Sequence, residues 1–152
     1  MDVKVINPFV ASITSVLPQL GFQNIVRKDI KLKSKKIKSS GVIMVIGIVG
    51  DRKGNVAYGI DMEGAKKIAS IMMMGMPVNE LDDMSKSALS ELSNMLTANA
   101  SINFSNDDIN VDISVPTLMY GDDIEVNMNS EQIVSVGFDV DGVLFEINVA
   151  LN

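Results

Sequence analysis

The sequence predicts a single α+β domain, residues 1–152, built from three helices and about six mostly antiparallel strands. Three observations carry this. Apolar residues recur at helical spacing in three segments bunched early in the chain. Segments of period 2 and glycine-bounded apolar runs lie on both sides of them, and no low-complexity stretch or linker divides the 152 residues. A chain of this length buries about two-thirds of its unfolded surface, so its core needs neither disulfide nor metal.

The first helix is expected from about Val3 to Leu20, where Ile6, Val10, Ile13, Leu17 and Leu20 form a stripe that Phe9 and Val16 widen. Pro8 is tolerable only in its first turn, and Pro18 bends or ends its last. From Ile30 the run Ile-Lys-Leu-Lys-Ser-Lys alternates, which reads as a strand with a wet lysine face that discourages edge pairing. Val42–Val49 is almost continuously apolar between Gly41 and Gly50, as befits a central strand covered on both faces. Asp51-Arg52-Lys53-Gly54 turns the chain into a second strand, Asn55–Ile60.

Asp61 is placed to cap the next helix, because its carboxylate can accept from the free N–H groups of the first turn. Ala65, Ile68, Ala69, Met72 and Met73 give that helix a buried stripe, and Gly75 with Pro77 stops it. The longest helix runs from about Asn79 to Ile102. Period 2 then returns at Ile109, Val111, Ile113 and Val115, and again at Ile124, Val126 and Met128. A hairpin closes the chain, with Val134, Val136 and Phe138 before the turn Asp141-Gly142 and Leu144–Val149 after it.

Composition removes whole classes of chemistry. With no Cys and no His there is no thiol nucleophile, no Ser-His triad, no histidine phosphotransfer and none of the commonest zinc sites. The absence of Cys, of a signal-peptide pattern at Met1-Asp2-Val3-Lys4 and of any apolar run long enough to span a bilayer points to a cytoplasmic setting and no membrane partner. The glycines Gly47, Gly50, Gly54 and Gly59 lack the Gly-Lys-Ser/Thr of a phosphate loop. Charge is uneven. Residues 1–76 hold 12 Lys/Arg against 5 Asp/Glu, whereas residues 77–152 hold 1 against 14. Seven of the basic residues lie between Arg27 and Lys38, a run read as a solvated strand edge and not as a nucleic-acid patch, since no aromatic is interleaved.

On a wheel of the third helix with Ala88 at zero, Met84, Leu92, Met95 and Ile102 fall within about 40° of it, and Leu89 and Leu96 widen this stripe to about +100°. That is the expected buried face. Glu91 at about −60° and Asn94 at about −120° stand side by side on its flank, among the short side chains of Ser87, Ser90 and Ala98. A carboxylate and a carboxamide presented together make a docking surface with functional groups: Asn can hold a water by donating and accepting at once, and Glu can pair with a cation. Ser93, at about +140°, is expected to stand clear and to be silent when replaced.

Around that pair lie Asn79-Glu80-Leu81-Asp82-Asp83, Ser90-Glu91-Leu92-Ser93-Asn94-Met95, then Val111-Asp112-Ile113-Ser114-Val115-Pro116-Thr117 and Gly121. In this order and spacing they resemble the CheC/CheX/FliY family of chemotaxis phosphatases, nearest its short CheX type. Gly54, Tyr58, the Ala65 helix and Met73-Met74-Gly75-Met76 extend the likeness, which is good over roughly residues 41–122 and looser at the ends.

The resemblance implies a CheC-like domain that hydrolyses the phospho-aspartate of a CheY-like response regulator. It implies that Asn94 positions the attacking water and that Glu91 pairs with the regulator's lysine; Ser87, Ser90 and Ala98, which the wheel sets around them, are then where the partner docks. The family's Mg²⁺ sits in the regulator, so no metal or cofactor of this chain's own is expected. The helix opening Asp61-Met62-Glu63-Gly64-Ala65 has no E-x-x-N, which implies one site, as in CheX, and a homodimer as in that type. Physically, an acyl phosphate is already activated, so one oriented water suffices without a covalent intermediate. An amide takes no proton near pH 7, which suits Asn94 to orienting and not to general base work. The alternative is a non-catalytic adaptor or flagellar-switch-like module that holds a regulator on the same surface.

Overall fold

The computed structural model describes residues 3–152, so Met1 and Asp2, part of the segment read as no leader peptide, lie outside the described residues. Helix α1 (Val3–Val16) is followed by β1 (Ile25–Gly50), β2 (Gly54–Ile60), α2 (Met62–Met72), α3 (Asp83–Asn106), β3 (Val111–Ile113), β4 (Thr117–Val140) and β5 (Val143–Leu151). The α+β class with three helices stands. Pro8 sits in the second turn of α1, and Pro18 turns the expected last stretch of that helix into a 3-10 turn, Leu17–Leu20, closed by Gly21 at φ 101°.

The strands are divided differently from the sequence pattern. The lysine-rich segment from Ile30 and the apolar run Val42–Val49 are one strand of 26 residues, and the segments around Ile124 and Val134 are one of 24. Each long strand is used twice. The first part of β1, from Ile25 to Ser34, pairs with Gln132–Val140 of β4, whereas its last part, Val42–Ile48, pairs with β2. Val134–Val140 of β4 also pairs with β5, and β5 pairs with β2. Counted by these parts the sheet has six antiparallel members, with β3 adding a short edge at Ile48–Gly50.

All three helices cover one face. Val42, Met44, Ile46 and Ile48 of β1, with Tyr58, Phe138, Phe145 and Ile147, meet Phe9, Ile13 and Leu17 from α1 and its 3-10 turn, Ala65 and Ile68 of α2, and Leu89, Leu92, Leu96 and Phe104 of α3. Phe9 and Phe104 meet edge to face, ring centres 5.7 Å apart. The opposite face is covered by the chain itself: the middle of the β1–β4 ribbon folds back so that Ile37, Ile124, Met128 and Ile133 pack on Ile43, Ala57 and Ala150. The ribbon leaves the sheet where Gly41 faces Gly121 across the two strands. Their φ values of 138° and 154° suit glycine, and a Cβ on Gly41 would strike the Ile60 carbonyl oxygen.

The uneven charge of the sequence is spent in part across these strands. Lys33 Nζ lies 2.6 Å from Glu146 on β5, and Lys36 Nζ lies 2.9 Å from Glu125 on β4. The bond from Lys36 is the main reason that the Glu125 carboxyl titrates below its usual range. The lysine face is wet as expected, but so is the apolar one: Ile30 is about half exposed and Leu32 is 73% exposed. From Ile25 to Ser34, β1 pairs with β4 alone among the described residues, which leaves its other edge open.

The turn Asp141-Gly142 is also a tie to the start of β1. The Asp141 carboxylate accepts the N–H of Asn24 at 2.8 Å and that of Gln23 at 3.1 Å. These bonds, Asn24 first, hold its pKa below the ordinary carboxylate value. A carboxyl depressed in the folded state stabilises above its unfolded pKa, and the contribution is lost as pH falls through the folded one. Asp141→Asn keeps the shape and suits the positive φ of 50°. We therefore expect it to lower Tm at pH 7, with the gap from the parent closing as the solution is acidified below the carboxylate range. Calorimetry at a series of pH values checks this; a gap that stays constant down to acid pH contradicts it.

Candidate functional site

Helix α3 is capped by Asp82 and starts at Asp83, later than its apolar pattern suggests. The Asp82 carboxylate accepts the Ser85 N–H at 2.9 Å and the Ser85 hydroxyl at 2.8 Å, and these bonds, the N–H first, keep it ionised below its ordinary range. The helix then continues to Asn106, one turn past Ile102.

Its buried face is not where the wheel puts it. Leu89, Leu92 and Leu96 are buried as expected, but the rest of the stripe is Ser85, Ser93, Thr97, Ala100 and Phe104. Met84 and Ile102 are about 60% exposed, and Ala88 and Met95 are half-buried. The stripe is thus centred near about +100° of the wheel. The cause is that hydroxyls bury cheaply once they bond within the helix. Ser93 Oγ donates to the Ser90 carbonyl at 2.7 Å, and Thr97 Oγ1 donates to the Ser93 carbonyl at 2.7 Å while lying 2.8 Å from the Tyr58 hydroxyl. Burial pushes that phenol far above its usual pKa, so Tyr58 stays neutral. Ser93, expected to stand clear, is fully buried and cannot serve as a silent control.

This rotation turns Glu91 and Asn94 well away from the core. Glu91 is exposed and Asn94 half-buried, and both line an open groove of about 550 Å³ together with Asp83, Lys86, Ser87 and Ser90 of α3. Val115 and Pro116, just before β4, form its other side. Of the expected surround, Ser87 and Ser90 line the groove; Ala98, half-buried one turn on, does not. Among the described residues, neither Glu91 nor Asn94 spends its side chain on a hydrogen bond or ion pair within the chain.

The far side is fixed by one serine. Ser114 Oγ accepts the Gly47 N–H at 2.8 Å and donates to the Val115 carbonyl at 3.0 Å, while the Ser114 N–H reaches the Gly47 carbonyl at 2.9 Å. Pro116 restricts Val115 to extended backbone, and Val115 stands 81% exposed beside the groove. Sequence reasoning placed Val115 in an alternating strand and gave Asp83, Lys86, Val115 and Pro116 no place at the site. The Val-Pro pair was the available signal, since a proline there ends the β3 ladder.

Chemically the groove offers two carboxylates, Asp83 and Glu91, an amide that both donates and accepts, two hydroxyls and one ammonium. Among the described residues no three carboxylates gather into a metal site. It can orient a small molecule such as water and engage a charged partner; it offers no activated nucleophile.

Comparison with known proteins places these features. Residues 42–139 match the family model described as "Chemotaxis phosphatase CheX". The chain is 32% identical over 127 residues to the CheY-P phosphatase CheX of Thermotoga maritima, covering 83% of this chain and 81% of that one. The crystal structure of a CheX chemotaxis protein from Desulfovibrio desulfuricans superposes with a TM-score of 0.87 over 98% of this chain and 99% of that one, and at 21% identity it bears on the fold alone. A CheX–CheY–BeF₃–Mg²⁺ complex from Borrelia burgdorferi contains a chain that matches with a TM-score of 0.81 at 28% identity, over 97% of each.

Proposed function

The chain belongs to the chemotaxis phosphatase CheX family, and from that premise we propose that it hydrolyses the phospho-aspartate of a CheY-like response regulator, ending a chemotaxis signal in the cytoplasm. The observation that carries the proposal is the pair Glu91 and Asn94, uncommitted among the described residues and held at an open groove on a helix whose other face is locked into the core. The Borrelia complex, a CheX with CheY, BeF₃ and Mg²⁺, supports the choice of partner.

In this reading the regulator enters the groove with its phosphoryl group toward Asn94. The Asn94 amide donates to and accepts from one water, and sets its oxygen in line with phosphorus. As the water oxygen bonds to phosphorus, the bond from phosphorus to the aspartyl oxygen breaks, and the carboxylate leaves with that electron pair. The products are inorganic phosphate and the free aspartate. Glu91 takes the regulator's lysine, which ties the two proteins in register. The Mg²⁺ belongs to the regulator and supplies charge neutralisation there.

The test is phosphate release from a Mg²⁺-loaded receiver domain charged by acetyl phosphate, with and without this protein. Faster release is expected. Tight binding without faster release would turn the proposal into the adaptor reading. Glu91→Ala is expected to raise KM as well as lower kcat, by about tenfold in KM, with the defect shrinking as salt screens the ion pair.

We also propose that the protein is a homodimer joined through the apolar side chains that the first part of β1 leaves uncovered, Ile30 and Leu32, and not through its lysine-lined edge. Sedimentation is expected to give twice 16.4 kDa, and Leu32→Glu to shift it toward the single chain. A concentration-independent monomer from the parent protein would reject this.

A further inference from the structure

We infer that Lys86 is a specificity-determining contact at the second electrostatic pole of the groove, and that it takes a carboxylate on the docking face of the regulator. The inference rests on the functional reading above and adds to it a residue with a separable role.

Lys86 is the one basic residue in the whole stretch from 77 to 152, against fourteen acidic ones, and it lines the same groove as Glu91 and Asn94. It stands four residues after Asp82 and three after Asp83, the spacing at which helical ion pairs form. Yet among the described residues it makes no salt bridge. The Asp82 carboxylate is bonded to Ser85, with the Lys86 charge only a lesser influence on it, and the Lys86 ammonium lies over the Tyr120 ring, 4.2 Å from its centre. A ring face holds a cation by its quadrupole without cancelling its charge. Tyr120 lies on β4, so the sheet sets where this half-buried side chain stands.

Its place along the helix decides what it can touch. Lys86 precedes Asn94 by eight residues, about 12 Å of helix axis, and helical side chains lean toward the N-terminus, which carries it farther from Asn94. It therefore reaches the rim of a docked partner and not the phosphoryl group at Asn94. Glu91 lies between, about 7.5 Å along the axis from Lys86. Asp83 and Lys86 thus stand toward one end of the groove and Glu91 toward the other, and a docked partner sets a cation opposite Glu91 and an anion opposite Lys86. A partner with the reverse order meets like charges at both places, which costs affinity and slows encounter.

The experiment uses the full chain and a CheY-type receiver domain loaded with Mg²⁺ and beryllofluoride for binding, or charged by acetyl phosphate for turnover. Lys86→Glu and Lys86→Met are compared with the parent at matched thermal stability; glutamate near a helix N-terminus is well tolerated, and methionine keeps the stem over the ring. Lys86→Glu is expected to raise both the dissociation constant and KM about tenfold, with Lys86→Met intermediate, and to leave kcat within about twofold. The difference between the variants should shrink at 0.5 M salt, where the Debye length falls to about 4 Å. Binding and KM within twofold of the parent for both variants would overturn the inference while leaving the phosphatase reading intact. So would a loss confined to kcat. Failure of the parent protein to bind the loaded receiver or to speed its hydrolysis would overturn both together.

Discussion

Asn94→Ala is expected to cut accelerated hydrolysis of the phosphorylated regulator by about 10²–10³-fold, the loss seen when one positioned polar group is removed from a transition state. Folding should change by no more than about 0.5 kcal/mol, because the side chain makes no hydrogen bond among the described residues and its neighbours Ser93 and Thr97 keep theirs. The loss should fall on kcat with KM little changed, since Asn94 meets the water and not the partner's docking face. Ser105→Ala, exposed near the end of α3 and outside the groove lining, replaces Ser93 as the control. Single-turnover decay of the charged regulator reads all three proteins. Full activity in Asn94→Ala would remove the water-positioning role and bring the adaptor reading forward.

The largest effect on stability is expected at the start of β2. Gly54 has φ 150°, and a Cβ there would strike the Ala150 carbonyl oxygen on β5. Two backbones are involved, so no side chain can yield to make room. Gly54→Ala should cost about 3 kcal/mol or more. Gly59, five residues on in the same strand, has open space for 4 Å around the place a Cβ would take, and no unusual φ. Gly59→Ala should therefore be neutral or stabilise by about 0.5–1 kcal/mol through lost freedom of the unfolded chain. Urea unfolding of the pair checks both. Equal effects at the two glycines would show that strand composition and not the close approach of β5 governs the site.

Much of this molecule was legible in its sequence. The α+β class, the cap at Asp61, whose carboxylate does accept from Gly64, and the hairpin at Asp141-Gly142 follow from local chemistry that tertiary packing reinforces. The groove pair Glu91 and Asn94 was visible because residues three apart on a helix are neighbours whatever the rest does. The misplaced face of α3 was not visible, since hydropathy counts Ser85, Ser93 and Thr97 as polar and cannot know that each bonds inside the fold. Nor could the pattern reveal that two strands run on through their glycines. Gly41 reads as a strand boundary until Gly121 is found opposite it. The Val115–Pro116 side of the groove depends on Ser114 meeting Gly47, a contact between distant parts of the chain.

The double use of β1 has a consequence for how the chain comes into being. Ile25 must pair with Val140, so the first strand to leave the ribosome waits for nearly the last. At about 5–20 residues per second that interval is on the order of ten seconds, far longer than local helices need to form. During it, Val26, Ile30 and Leu32 sit on a strand whose backbone groups have no ladder partner, the composition that neighbouring nascent chains can seize. Arg27, Lys28, Lys31 and Lys33 interleave with them. Their like charge makes two such waiting strands repel, so the basic run that engages acidic partners in the finished sheet also guards the unfinished one.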